Sequence, residues 1–318
     1  MAGTSPSSAW KEFTLSLQRN LQSEDNLHVR PRSVVSLQHK LFRVVWHGVN
    51  VALLASLAAL VYSAGWEYSV RRYLDGFSDA IVPTNALPEQ RVEAILDWMR
   101  QGPPRSAEPN PTGLTVRDPE TTLNYQQLLS VCGTATNAFL NLARSSDLEV
   151  RRLLLLSPDR TAKHVVAEVL LNDRWIVVDP TYRIVMRNAK GEMLTRKQLQ
   201  TPQNFAEATR RIPGYSPTYT YDNFAHVRMA RLPLDGLRLR SVLNRVFPGW
   251  DEKVDWSLLL ERESFFVLTS AVLATLFLFL LRLFLGWYAD QWLKMPRFRL
   301  RSHLVRAGAA LFTTPEIK

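Results

Sequence analysis

Hydrophobic and polar positions divide this chain into three parts: two long uncharged runs and a central segment where apolar residues recur at short, regular intervals. Val44 to Trp66 is 23 residues without a charge. As a helix it would span about 34 Å, enough for the ~30 Å hydrocarbon layer of a bilayer with some tilt. Ser264 to Leu281 is a second uncharged run, of 18 residues. LFLGWY prolongs its apolar surface past Arg282, whose side chain can snorkel to the headgroups. Both runs read as transmembrane helices, at 44–66 and 264–288. Trp46 lies near one end of the first, Tyr62 and Trp66 near the other, where amphipathic rings favour the membrane interface. His47 and Asn50 interrupt the first run. The pattern assigns His47 to the headgroups and Asn50 to a contact with another helix, because neither run holds an acidic partner for a proton relay.

Between the runs, residues 67–263 carry the periodicities of a single α+β domain with its core at about 88–200. Leu87-Pro88-Glu89 opens a helix: proline suits the first turn, and the acid meets the positive end of the dipole. Val92, Ile95, Leu96 and Met99 give that helix an apolar face, and Gly102-Pro103-Pro104 stops it. Ala135, Ala138, Phe139 and Leu142 predict a second amphipathic helix over 133–145. Runs rich in Val, Ile and Leu predict strands at 148–156, 163–171 and 174–179, the last two joined by a two-residue turn at Asn172-Asp173. That loop length fixes the register. Leu171 faces Arg174, so paired residue numbers sum to 345, Asp179 lies opposite Val166, and His164 lies opposite Thr181. Opposed residues share a face, as do residues two apart on one strand, so His164 and Asp179 are diagonal neighbours on one face. A three-residue loop would put them on opposite faces. Residues 102–120, with five prolines, 213–222 and 232–256 read as irregular. Residues 1–43 form a largely flexible tail in which 11–22 can make one short helix. No apolar core follows a short basic start, so no cleavable signal peptide is expected.

Charge adds a direction to this picture. The net charge is +10, but residues 1–43 hold 6 Lys+Arg against 3 Asp+Glu and residues 282–318 hold 7 against 2. The basicity therefore sits beside the apolar runs, which argues for a lipid bilayer and against nucleic acid as the partner. The stretch PRFRLRSHLVR at 296–306 is assigned to anionic lipid at the cytoplasmic interface. Counting basic residues in the short flanks puts the 1–43 tail and the basic 289–318 tail in the cytoplasm of a two-pass inner-membrane protein, with 67–263 outside.

The chain has one cysteine, Cys132. This excludes an internal disulfide and a multi-thiolate zinc site, and no cofactor or metal is called for. A lone cysteine is usually a small buried hydrophobe. This one opens the 133–145 helix, where unpaired N–H groups and the dipole favour a thiolate, and Gly133 after it leaves room for a carbonyl to approach. With His164 and Asp179 it makes a nucleophile, a base and an orienting acid. A helix start can also supply N–H donors to an oxyanion; no further donor is identified. His226 lacks an acidic neighbour and is assigned a surface or structural role. Glu168 shares the face of His164 and is a second possible orienter, assigned rather to the sheet or to the surroundings of the site. Trp175 is assigned to the core. Tyr215, Tyr219 and Tyr221 can line a groove, though tyrosine-rich loops usually pack on the surface.

The run C-G-x₃-A-F-x₂-L-A at Cys132, then HVVAEV at His164 and NDRW-x₃-DPT ending at Asp179, resembles the core of the transglutaminase-like superfamily over roughly residues 88–200. GEMLTRKQL after the hairpin is similar to a turn and short helix of bacterial members. The resemblance implies a papain-like fold, with Cys132 as nucleophile, His164 as base and Asp179 as orienting acid. Val166 departs from it, since many members have Trp after the histidine. The implied activity is that of a membrane-anchored thiol acyl-transfer enzyme, a cysteine peptidase or amidase or a transglutaminase. Its substrate is an amide of an envelope protein, peptide or amino-modified glycan. The alternative is a catalytically silent scaffold that binds partners in an envelope assembly, such as one handling surface polysaccharide. A transporter is disfavoured, because two spans with little polar lining offer no pathway. The topology predicts that protease added outside intact cells cuts the central domain and spares the N-terminal tail; the reverse pattern on a blot with two tags overturns it.

Overall fold

The computed structural model describes residues 32–105, 119–124, 126–227, 239–253, 255 and 257–293. The 11–22 helix, positions 106–118 of the expected 102–120 loop and the basic stretch 296–306 lie outside the described residues. The chain divides into a central unit, Leu57–Ala274, and a second unit, Met1–Ser56 with Thr275–Lys318.

Helix α1 (Arg32–Ile81) passes through the first uncharged run and continues without a break to Ile81. Its later part, which holds no long apolar run, buries Val70 and Leu74 in the core of the central unit. In the second unit, α1 up to Ser56 and the final helix from Thr275 onward carry large apolar side chains on their outside. Leu54, Leu276 and Phe277 are among those exposed. Two helices, α1 over Leu37–Ile81 and the final helix Glu263–Gln291, are long and apolar enough to cross a membrane. Asn50 meets another helix, and its partner is Arg282. The guanidinium Nε donates to Asn50 Oδ1 at 2.7 Å and lies 5.6 Å from the Trp46 ring centre. Arg282, expected to snorkel freely, is thus tied down by a polar partner.

Helix α2 (Pro88–Arg100) begins with proline at its first position. The Gln90 side chain accepts from the Leu87 N–H at 2.9 Å, closing the first turn. Its buried residues are Val92, Ile95, Leu96 and Met99, as the spacing predicts. Short helix α3 (Pro119–Asn124) and a 3₁₀ turn (Gln126–Ser130) lead into α4 (Cys132–Ser145). Pro119, Thr122 and Leu123 are buried, so the irregular stretch ends sooner than its proline content suggested. Strands β1 (Val150–Leu156), β2 (Ala162–Leu171), β3 (Arg174–Asp179), β4 (Ile184–Val185) and β5 (Phe224–Ala225) form an antiparallel sheet in the order β4-β3-β2-β1-β5. This is an α+β domain of helices on an antiparallel sheet.

The β2–β3 register runs from Leu171↔Arg174 to Ala167↔Val178, every pair summing to 345. Asn172 (φ 50°) and Asp173 (φ 58°) are both left-handed, as a two-residue turn matched to strand twist requires. One face of the sheet, with Val150, Ala167, Val169, Ile176 and Val178, packs on α1, α2 and α4. Thr136 of α4 donates to the Val165 carbonyl at 3.0 Å, fixing helix against strand. The other face, with Leu153, Leu155, Val166 and Val177, is covered by the chain after β4. That covering includes α5 (Arg196–Leu199), whose Thr195 cap and Gln198 form a reciprocal capping box, and α6 (Pro202–Thr209). Tyr219 and Tyr221 follow them. The expected 232–256 irregular region contains α7 (Leu239–Val246) and α8 (Trp250–Lys253), with α9 (Ser257–Glu261) after it.

Where the central unit meets the start of its last helix, α10 (Glu263–Gln291), the buried carboxylate of Glu67 accepts two hydrogen bonds and is ion-paired to a third group. Arg71 Nε lies at 2.7 Å, Ser264 Oγ at 2.7 Å and Arg262 Nε at 3.3 Å. A buried carboxylate is tolerated because it is multiply paired. Because only glycine adopts φ > 0 without steric cost, Asp173→Gly is expected to stabilise the hairpin by about 0.5–1 kcal/mol. Asp173→Val, with a β-branched side chain in the same conformation, should destabilise it. Denaturant unfolding of the detergent-solubilised protein reads both, and equal midpoints would show that the turn conformation carries no such cost.

Candidate active site

Cys132 is the first residue of α4, preceded by Val131 in an extended conformation (φ −103°, ψ 130°). The thiol therefore stands among backbone N–H groups that have no partner within the helix. A side chain built on Gly133 would meet no protein atom within 4 Å. Packing among the described residues does not require glycine there. Cys132 is partly exposed.

His164 and Asp179 are both fully buried, on the face of the hairpin where the register puts them. His164 Nε2 donates to Asp179 Oδ2 at 2.7 Å. The second carboxylate oxygen accepts from the backbone N–H groups of Thr181 (3.1 Å) and Tyr182 (3.3 Å), in the turn that Pro180 begins. These bonds hold the carboxylate, and the carboxylate holds the ring. They also fix which ring nitrogen the carboxylate engages; Nδ1, likewise buried, is the other. The β1–β2 ladder slips between Leu155 and Leu156 just where Leu155 faces His164, a bulge that re-aims the end of β2.

The electrostatics follow. Burial opposes a charge on His164, but the Asp179 carboxylate and the nearby Cys132 thiol outweigh it and push the imidazole up to about 9. Burial likewise pushes the Cys132 thiol up. The neighbouring His164, and then the charge of Arg105, reverse this against the opposing charge of Asp179 and hold the thiol below its ordinary value. Both shifts favour a thiolate beside an imidazolium.

Around this pair lies an aromatic shell. The Tyr219 ring stacks on the imidazole, centres 4.4 Å apart and planes within 11°. Tyr182 and Tyr215 meet it edge-on at 6.0 and 6.2 Å. Tyr215 also shares a hydroxyl contact of 3.1 Å with buried Tyr221. Burial first, with the charge of Asp179 among the further causes, lifts the phenols of Tyr215 and Tyr221 above their usual range. The expectation that these tyrosines pack on the surface is corrected: they enclose the imidazole, and a ring stacks on it even though Val166 is not aromatic. Arg105 donates to the hydroxyls of Tyr182 and, at 2.5 Å, Tyr219. Neither Arg105 nor Tyr182 was singled out from sequence. The closely spaced tyrosines of YSPTYTY were the one usable signal, and Arg105 carried none.

The other candidates lie elsewhere. Glu168 is buried and accepts from Arg151 Nε at 2.6 Å, away from His164. Trp175 is only half-buried, with the Arg151 guanidinium 4.0 Å over its ring, so it caps the sheet rather than filling the core. His226 is buried, not on the surface. Its Nδ1 donates to the Arg152 carbonyl at 2.5 Å, and burial lowers its pKa. Among the described residues, no cluster of His, Cys, Asp and Glu has the makeup of a metal site.

A thiol at a helix start beside a histidine–carboxylate pair on a hairpin is the arrangement of papain-like cysteine domains. Residues 75–180, a span that takes in Cys132, His164 and Asp179, match the family model of the transglutaminase-like superfamily. No curated protein matches the chain.

The shifts have a pH signature. In the wild-type protein, alkylation of Cys132 by iodoacetamide should approach its plateau near neutral pH. The thiolate–imidazolium pair should persist from the depressed thiol pKa up to about 9, where His164 loses its proton. In His164→Ala the rise should move towards the ordinary thiol value of about 8.5. Mass-spectrometric labelling rates between pH 5 and 10 check this; superimposable profiles would remove the coupling.

Proposed function

We propose that this protein is a membrane-anchored thiol acyl-transfer enzyme acting on amide bonds of an envelope protein, peptide or amino-modified glycan. The observation that carries the reading is the 2.7 Å bond from His164 Nε2 to the buried Asp179, on an imidazole whose neighbour Cys132 has a lowered thiol pKa.

In the proposed reaction the Cys132 thiolate attacks the amide carbonyl, forming a C–S bond. The oxyanion lies against the N–H groups that open α4. The His164 imidazolium gives its proton to the leaving amine as the C–N bond breaks, producing a thioester and a neutral imidazole. That imidazole then takes a proton from water, or from an amine, as either attacks the thioester. Water gives hydrolysis and an amine gives transfer; the C–S bond breaks as the new bond forms, and the thiolate–imidazolium pair is regenerated. Asp179 holds the ring in one tautomer and stabilises it when charged. The stacked Tyr219 ring and its neighbours limit water around the imidazole, which strengthens the His164–Asp179 interaction.

The proposed topology places both tails in the cytoplasm and residues 67–263 outside. Its support is the concentration of Lys and Arg at the ends of the chain and, within the second unit, the contact of Asn50 with Arg282.

Incubation of the detergent-solubilised chain with an aryl ester should leave an acyl mass on the Cys132 peptide. Cys132→Ala and His164→Ala should lower acylation by at least about 10³-fold, and Asp179→Asn by about 10²-fold or more. Adding an amine then separates transfer from hydrolysis by product mass. Slow labelling of Cys132 that is equal in wild type and His164→Ala would sink the enzyme reading and leave a partner-binding scaffold.

A further inference from the structure

Arg105 is held beside the site, and its partners differ from those of three other arginines of the central unit. Arg144, Arg151 and Arg262 are answered by the carboxylates of Asp255, Glu168 and Glu67. Among the described residues no carboxylate answers Arg105. Its side chain is half-buried, lies 5.1 Å from the Tyr182 ring centre and 5.3 Å from that of Tyr219, and spends Nη1 on one phenol and Nη2 on the other. Those are the rings that pack on His164, so the guanidinium is held at the edge of the thiol–imidazole pair. Its charge also reaches Cys132.

Two neutral acceptors leave a guanidinium with most of its N–H groups and its whole charge available. Tyr182, itself anchored by donating to the Gly214 carbonyl at 3.0 Å, and Tyr219 fix the plane of the fork and so reduce the entropy lost when it binds. A fixed, planar guanidinium that no described carboxylate answers matches a carboxylate, which takes two parallel N–H bonds. We infer that Arg105 is the specificity-determining residue of this site and binds a substrate carboxylate placed within about one residue of the carbonyl that Cys132 attacks. The preferred amide is then one whose acyl side carries an acidic side chain or a free carboxylate. This inference rests on the acyl-transfer reading above.

Two alkylating agents of nearly equal shape test it on the full detergent-solubilised chain: iodoacetate, which carries a carboxylate, and iodoacetamide, which does not. In the wild type, Cys132 should react faster with iodoacetate by at least about tenfold, the scale of one charge-assisted contact. Arg105→Gln should bring the two rates together, while Arg105→Lys, which keeps the charge without the fork, should retain part of the preference. A measurement on unmutated protein stands independently of how the variants fold: glutarate, and not glutaramide, should slow iodoacetamide labelling in a saturable way. An iodoacetate preference unchanged in Arg105→Gln, no preference in the wild type, or no protection by glutarate each overturns the inference and leaves the acyl-transfer reading standing. A Cys132 that reacts with neither reagent at neutral pH overturns both together.

Discussion

The Asp179 carboxylate has no exposed surface, and a buried carboxylate is stable in a protein only where hydrogen bonds replace the water it lost. Here the replacements are the Nε2–H of His164 and the backbone N–H groups of Thr181 and Tyr182. Much of the central unit can be seen as the means of delivering them. The Asn172-Asp173 turn sets the register that puts Asp179 diagonally across from His164. Pro180 and the turn after it bring two amides back to the carboxylate. The bulge at Leu155/Leu156 angles the end of β2. The imidazole is in turn buried, and only the nearby carboxylate makes its charge tolerable. Removing either partner leaves the other as an uncompensated buried group, so the pair is a single structural unit as well as a chemical one.

That unit is enclosed from two sides by different parts of the chain. The helical face supplies Cys132 through α4, which is fixed to β2 by the Thr136–Val165 bond and packed through Ala135, Ala138, Phe139 and Leu142. The opposite face is closed by the segment after β4, whose tyrosines stack on His164 and bury Leu153, Leu155, Val166 and Val177. The tyrosine shell therefore serves packing and electrostatics together. It fills the second core, and by excluding water it strengthens the field of Asp179 and of Arg105 at the site.

The buried Glu67 cluster gives the central unit a comparable polar fastening far from the chemistry in sequence. It joins the continuing part of α1 to the start of α10 through Arg262 and Ser264.

What the sequence by itself determined was local. Long uncharged apolar runs, the period of Val92–Met99 and of Ala135–Leu142, and the pair of turn residues at 172–173 each depend on neighbours within a few positions. They specify helix, strand and register with little outside help. The parity of that turn carried the reading as far as a His164–Asp179 pair on one face. Only the tertiary structure could bring in Arg105, Tyr182, Tyr215 and Tyr219, which come from segments up to 114 residues apart and have no periodicity that marks them. It also decided that Glu168 answers Arg151 and that His226 supports a β1 carbonyl. These are choices among polar partners separated widely along the chain. Chain folding settles them by the cost of leaving a buried charge unpaired, and no local pattern records that cost.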